Sequence, residues 1–388
     1  MNVQDAVIVD LVRTPSGKGK PGGALSSIHP VDLLAEVLES IVSRNNLEPG
    51  MVDDVIAGCV SQIGEQAYNI GRNALLAAGF PDSVPGTTVD RQCGSSQQAA
   101  MFAAQAVMTG QYDVVIACGV ESMSRIPLGT SGAGMDRFGS KLRARYPEGL
   151  VNQGVSAELI ANKWGLSREV LDEFAARSHR LSVEARDRFS TEILPIAGVS
   201  VDETVRDTTT VEGLASLAPA FRTDELATRF PELDWKITPG NSSPLTDGAS
   251  AALIMSAKRA TQLGLKPRAR FHAFAVTGSD PIFMLTGIIP ATKKVLERAG
   301  LTLDDIDWFE VNEAFASVPL AWQKELGTDP QKLNPRGGAI ALGHALGSSG
   351  TRLLTTLVNQ LEATGKRWGL QTMCEGGGMA NATIIERL

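Results

Sequence analysis

The second half of this chain replays the first, and that repetition limits the folds open to it more than any other feature. Val52-Asp53-Asp54-Val55-Ile56 returns as Leu303-Asp304-Asp305-Ile306-Asp307, an offset of 251 positions (304 minus 53), each time after an amphipathic helix pattern and before an apolar strand. Gly94-Ser95-Ser96, a helical stretch, Thr109-Gly110 and the strand 114–119 return as Gly347-Ser348-Ser349, a helical stretch, Thr364-Gly365 and the strand 368–374, offset by 253 at the first glycine (347 minus 94). Offsets this close imply duplicated βα units. Such halves face one another across a pseudo-dyad, so residues distant in sequence converge. Each copy carries a cysteine where chemistry is possible: Cys93 just before a helix, and Cys374 at a strand end, opening the run Cys374-Glu375-Gly376-Gly377-Gly378.

Strand and helix patterns alternate along both copies. Residues 6–12 and 52–59 read as strands, 31–45 and 69–79 as helices, 95–108 as a helix stopped by Gly110, and 113–118 as an apolar strand. Such alternation predicts a layered α/β architecture with largely parallel sheets. Between 120 and 242 the repeat is interrupted by loops and by helical stretches at 155–164 and 168–188, the second capped by Ser167. The predicted organisation is a first half made of 1–119 and 243–267, an inserted loop domain over 120–242, and a second half over 268–388.

Composition removes several function classes. At 388 residues, two or three domains are expected, and 43% hydrophobic residues suffice for buried sheets. No apolar run reaches the roughly 18 residues of a membrane span, and the first residues read as a strand rather than a signal peptide. A soluble, cytoplasmic protein without membrane insertion is expected. A net charge of −7 gives no support to nucleic-acid binding, so an anionic ligand needs a local basic patch. The four cysteines show no CxxC spacing, which argues against zinc and against a disulfide framework; no metal is predicted.

Three segments carry chemistry. Cys93 sits in Arg91-Gln92-Cys93-Gly94-Ser95-Ser96, where a helix start would lower the thiol pKa and backbone amides would cradle an oxyanion; a buried structural cysteine is the alternative. His344 lies in the glycine-rich run 337–350, which is no Walker loop because Thr351-Arg352 follows Gly350; local hydrogen bonds alone would also explain it. Asn312 follows the strand 308–311, where open α/β sheets place ligands, although a turn cap would look the same. Cys59 and Cys118 read as core residues.

The ordered set Arg91-Gln92-Cys93-Gly94-Ser95-Ser96, Glu121-Ser122-Met123-Ser124, Gly240-Asn241-Ser242-Ser243 with Asp247-Gly248-Ala249, Asn312-Glu313-Ala314-Phe315, Gly338 to His344, and Cys374 before its glycines closely resembles the thiolase family of acyl-CoA acyltransferases, from the first strand to Ile384-Ile385-Glu386-Arg387. The resemblance implies the five-layered αβαβα fold. It also implies thiolytic cleavage of 3-ketoacyl-CoA by CoA, in β-oxidation-type degradation, or the reverse condensation. On that basis Cys93 is the acyl-carrying nucleophile, His344 takes its proton, Cys374 is acid and base at the α-carbon, and Asn312 holds a water near the enolate. The amides of Cys93 and Gly376 bind the oxyanion. Coenzyme A is a co-substrate, with no permanently bound cofactor. Arg206, counted back from Phe221, matches a nucleotide contact, and Ser243 a pantetheine contact; with Phe221 they are the CoA-binding candidates, and Arg177, His179, Arg180, Arg186 and Arg188 could add positive potential. Family members are homodimers or homotetramers. Departures from the family's usual pattern, Gly94-Ser95-Ser96-Gln97, Ala345 in place of proline, Asn152-Gln153-Gly154 and Gly287-Ile288-Ile289-Pro290, touch loops near the expected channel. A decarboxylating ketoacyl synthase would need a second histidine or an asparagine where Cys374 stands, and a binding-only homologue would be expected to have lost one of the four catalytic side chains.

Overall fold

A computed structural model describes residues 4–388. Its strands are β1 (Ala6–Arg13), β2 (Gly17–Lys18), β3 (Asp54–Gly58), β4 (Gly86–Val89), β5 (Val114–Ser122), β6 (Thr246–Ser256), β7 (Ala269–Gly278), β8 (Trp308–Val311), β9 (Trp368–Glu375) and β10 (Met379–Arg387). They hydrogen-bond in the order β4-β3-β5-β6-β1-β7-β10-β9-β8, with β2 against β6. The duplication shows in the pairing. Parallel β3–β5 followed by antiparallel β5–β6 and β6–β1 is matched by parallel β8–β9 followed by antiparallel β9–β10 and β10–β7. The halves meet at β1–β7 through Val7↔Arg270 and Ile8↔Ala269.

Two expectations are corrected. Sheets expected to be largely parallel are mixed: among the described residues only β3–β4, β3–β5 and β8–β9 are parallel. The closing strand of each half enters without a helix signal, β10 by reversing from β9 through Gly377 and Gly378, at φ 85° and 80°. The repeat register also differs from the sequence match, which paired Asp53 with Asp304. In the structure Asp53 Oδ2 accepts from the amides of Asp113 and Val114 (2.7 and 2.9 Å), and Asp307 Oδ2 accepts from those of Arg367 and Trp368 (both 2.9 Å). The structural offset is therefore 254 (307 minus 53).

Three cores define five layers. Val7, Val9 and Val12 of β1 pack with Leu33, Leu34, Val37 and Ile41 of the helix Pro30–Ser43 on the outer face of the first half-sheet. Ala6, Ile8 and Leu11 face the other way, the alternation shifting at a bulge between Ile8 and Asp10. They meet Ala99, Ala103 and Val107 of the helix Ser95–Met108 and Leu354, Leu357 and Leu361 of Ser349–Thr364, which share one core with Phe271 and Ile385 of the second half-sheet. Beyond that sheet, Ala275, Ala382 and Ile384 pack with Val295 of Ile288–Ala299 and Trp322 of Ser317–Leu326. The order is helix, sheet, paired central helices, sheet, helix, as the αβαβα expectation has it.

The long excursion from β5 to β6 lays the helices Gln153–Lys163 and Arg168–Glu184 against the second half's outer core through Ile160, Leu171 and Phe174. Ser167 caps the second helix, accepting from the Val170 amide at 3.2 Å. Among the described residues no helix is long and apolar enough to cross a membrane.

Candidate active site

Cys93 is placed by a tight turn. Gln92 is left-handed (φ 49°), and Ser95 Oγ accepts from the Arg91 amide (3.0 Å) while donating to the Gln92 carbonyl (2.6 Å). The thiol thus enters the helix Ser95–Met108 at Gly94, with Met123, Leu346, Leu353 and Met373 around it. The Gln153 side chain favours the ionised form of the sulfur. The helix start was expected to lower the thiol pKa. Burial overrides it and pushes Cys93 up, with Cys374 and Glu375 adding to the rise, so the resting group is the thiol.

His344 is fixed from three sides. Its amide donates to Thr246 Oγ1 at 2.9 Å, and Gly343 (φ 82°) runs so close to Thr246 that an added Cβ would lie 2.7 Å from it. His344 Nδ1 lies 2.6 Å from Ser349 Oγ, whose proton goes to the Ala345 carbonyl (2.8 Å). Nδ1 therefore carries the imidazole proton, and Nε2 is free to accept from Asn312 Nδ2 at 3.3 Å. Burial and then the Arg352 charge lower the imidazole pKa to about 3, leaving a neutral base with its lone pair on Nε2.

Asn312 leaves β8 with its amide on the Thr372 carbonyl of β9 (3.1 Å), and its side chain favours the ionised form of the Cys374 thiol. Burial raises that thiol to about 12 against the Asn312 contact. Gly376 presses on the turn that carries Cys93: an added Cβ would lie 2.9 Å from Gln92 Oε1 and 3.3 Å from Gln153 Nε2. Cys93, Gly376, Cys374, Asn312 and His344, drawn from both halves, are thereby linked in one place.

The CoA candidates divide. The Phe221 ring lies against Gly154, where an added Cβ would come within 2.2 Å, and stands edge-on to Phe315 at 5.9 Å. The Ser243 amide donates to the Ala314 carbonyl at 3.0 Å, so both flank the Asn312-Glu313-Ala314-Phe315 loop. Arg206 is exposed, its amide donating to His179 Nδ1 at 3.1 Å. The basic cluster disperses: Arg177 holds the carbonyls of Pro330 and Leu333, while Arg180 and Arg186 pair with Glu184 and Asp207. Cys59 and Cys118 lie in the first half's outer core.

Sequence reading missed Gln153, Glu313 and Glu375. Glu313 is a buried anchor for the histidine loop, accepting from Ser178 Oγ (2.6 Å), Asn334 Nδ2 (2.8 Å) and the Ile340 amide (3.2 Å), and Gly338 abuts its carboxyl. A glycine-rich run that needs a buried partner was the available signal.

Layers of this kind, with two thiols, an imidazole and an amide linked between the halves, define a class: acyltransferases built on paired halves. Sequence models of the thiolase N-terminal and C-terminal domains match residues 6–258 and 265–387. The chain belongs to the thiolase family. It is 47% identical to the steroid 3-ketoacyl-CoA thiolase FadA6 of Mycobacterium tuberculosis, over 99% of this chain and 94% of that protein. It is 45% identical to a 3-ketoacyl-CoA thiolase of Klebsiella pneumoniae, over the whole of both. The crystal structure of a Bacillus anthracis acetyl-CoA acetyltransferase superimposes with a TM-score of 0.88 at 37% identity, covering both chains in full.

Proposed function

We propose that this protein cleaves a 3-ketoacyl-CoA with free CoA, giving acetyl-CoA and an acyl-CoA shortened by two carbons, and that the reaction is reversible. Cys93 Sγ attacks the keto carbon as His344 Nε2 takes the thiol proton. The tetrahedral oxyanion is met by backbone amides, with Cys93 and Gly376 as the donors assigned to the thioester stage. Collapse breaks the bond between the α and β carbons, and the acetyl-CoA enolate leaves as Cys374 protonates its α-carbon. Free CoA, deprotonated by the Cys374 thiolate, then attacks the acyl-Cys93 thioester, and His344 returns its proton to Cys93. Preorganised donors of this kind contribute about 10²–10³ in rate each.

The observation that carries the reading is Asn312, whose Nδ2 lies 3.3 Å from the neutral His344 Nε2 and whose side chain also bears on the Cys374 thiol. A proton acceptor and a carbon acid/base are thereby tied to one amide beside the buried Cys93. The CoA arm is assigned to Phe221 and Ser243, and the nucleotide phosphates to Arg206. The reading includes a homodimer or homotetramer in the cytoplasm.

The test is CoA-dependent loss of absorbance from the magnesium complex of acetoacetyl-CoA, extended to longer linear 3-ketoacyl-CoAs and to a 3-ketoacyl-CoA on a steroid ring. Thiolysis on any of them supports the proposal; decarboxylation without thiolysis, or binding without turnover, overturns it. The panel also decides whether a linear substrate or one on a steroid ring, as named for the Mycobacterium tuberculosis relative, is preferred.

A further inference from the structure

Glu375 follows Cys374, and the mechanism above does not use it. Its side chain is fully buried, and neither carboxyl oxygen has a hydrogen-bond partner. The space it fills is specific: a Cβ added to Gly94 would lie 2.1 Å from Glu375 Oε1, so a carboxyl rests on the bare Cα of the residue after Cys93.

The fold supplies its own control. By the structural offset, Glu375 is the counterpart of Glu121 (375 minus 254), and Gly94 by the second sequence offset is the counterpart of Gly347 (94 plus 253). Glu121 accepts from the amides of Val60, Ser61 and Gly347 (3.0, 3.0 and 2.9 Å) and from Gln66 Nε2 (2.9 Å). Burial raises the pKa of Glu121 as well, but these four donors oppose the rise. The same carboxyl in the second half has lost all of them.

We propose that Glu375 is a positioning residue for Cys93 that works as a neutral acid: protonated, it packs on Gly94 and leaves the nucleophile free to ionise during attack, and ionised, it opposes the thiolate. The inference rests on the thiolase reading. The groups that bear on the carboxyl are Asp90, Arg91 and Cys93 from the turn before the helix and Cys374 from its own strand, with neutral Asn381 from β10 on the Gly94 carbonyl at 3.1 Å. Burial is the largest influence, ahead of Arg91, and raises the Glu375 pKa to about 8. Protonated and ionised forms therefore both populate just above neutrality.

The experiment measures iodoacetamide alkylation of Cys93 and CoA-dependent cleavage from pH 6 to 9.5 in wild type and Glu375→Gln. Gln keeps shape and neutrality, so the two proteins should match at pH 6, and at pH 9 the variant should be about tenfold faster in both assays, the ratio set by a pKa near 8. Superimposed profiles would overturn the proposal, since a carboxyl serving only as filler would not move them. Gly94→Ala, which forces the carboxyl away, should slow alkylation at pH 7, and adding Glu375→Ala should restore it; additive losses would also overturn the proposal. Alkylation needs no thioester, so a wild type that alkylates but never cleaves refutes the thiolase reading and leaves this comparison intact.

Discussion

The two halves are built on one plan and share none of the chemistry. Asp53 and Asp307 clamp equivalent strands through the same pair of amides, yet the strand ends above them have diverged. Where the second half has Asn312 and Cys374, the first has Gly58 and Val120 (each minus 254), and where the first has Cys93, the second has Leu346 (93 plus 253). Gly58 and Gly347 are needed for contact: a Cβ on Gly58 would lie 2.6 Å from the Gly347 carbonyl, and one on Gly350 would lie 2.0 Å from the Gln97 amide nitrogen. In the proposed mechanism the first half contributes the nucleophile on a helix, and the second contributes the base, the acid and the amide beside them. Duplication preserved the scaffold and let the positions nearest the pseudo-dyad specialise.

The largest expected effect removes the first half's share. Cys93→Ala should abolish the acyl adduct seen by intact-protein mass spectrometry after brief exposure to an acyl-CoA, with cleavage down by at least about 10⁴-fold. An adduct that persists in the variant, or that maps to Cys374, would reverse the roles of the halves. Next comes Cys374→Ser, which removes the carbon acid/base and leaves the nucleophile. Cleavage should fall by about 10²–10⁴, while acyl transfer to Cys93 from an ordinary acyl-CoA continues. Near-normal cleavage would return Cys374 to a structural role.

The matched glutamates sharpen the comparison on stability. Glu121→Gln turns an amide donor towards a site where the carboxyl oxygens accept four hydrogen bonds, so it should cost about 1–3 kcal/mol in urea unfolding at pH 7. Glu375→Gln should stabilise, for the opposite reason. The Glu375 pKa is raised on folding, so its contribution is whole below the usual 4.5, erodes as pH rises, and is lost by about pH 8; glutamine has no such loss. Equal effects of the two substitutions would end the claimed asymmetry. The smallest effect is remote. Arg206→Ala should raise KM for CoA a few-fold with kcat almost unchanged, and should not matter for an acyl-pantetheine thioester. Equal losses on both substrates would remove Arg206 from the CoA assignment.

Much of this was legible in the sequence because it is written in local patterns. Helix starts at Ser167 and before Ser95, the return of Gly-Ser-Ser, and the order of motifs around Cys93, Asn312, His344 and Cys374 need no long-range information. Pairing direction was not legible: β6 and β10 are apolar strands whose partners are decided by a turn or by a long excursion. Nor was the state of Cys93, where a local cue, the helix start, pointed one way and tertiary burial carried the opposite sign. Gln153, Glu313 and Glu375 were missed for a shared reason, since each is ordinary in its own segment and gains meaning from a glycine elsewhere: Gly376, Gly338 and Gly94.

The hydrogen bond from Asn381 to the Gly94 carbonyl has a consequence for synthesis. Cys93 is made 288 residues before Asn381 (381 minus 93), the residue of β10 that bonds its turn. A nascent chain therefore holds the Cys93 thiol without that cover until β10 has been made, open to oxidation and to stray electrophiles. Pulse alkylation of ribosome-stalled chains should find Cys93 faster to react at every length short of β10 than in the folded protein; a folded-protein rate at shorter lengths would show that the first half seals its own thiol.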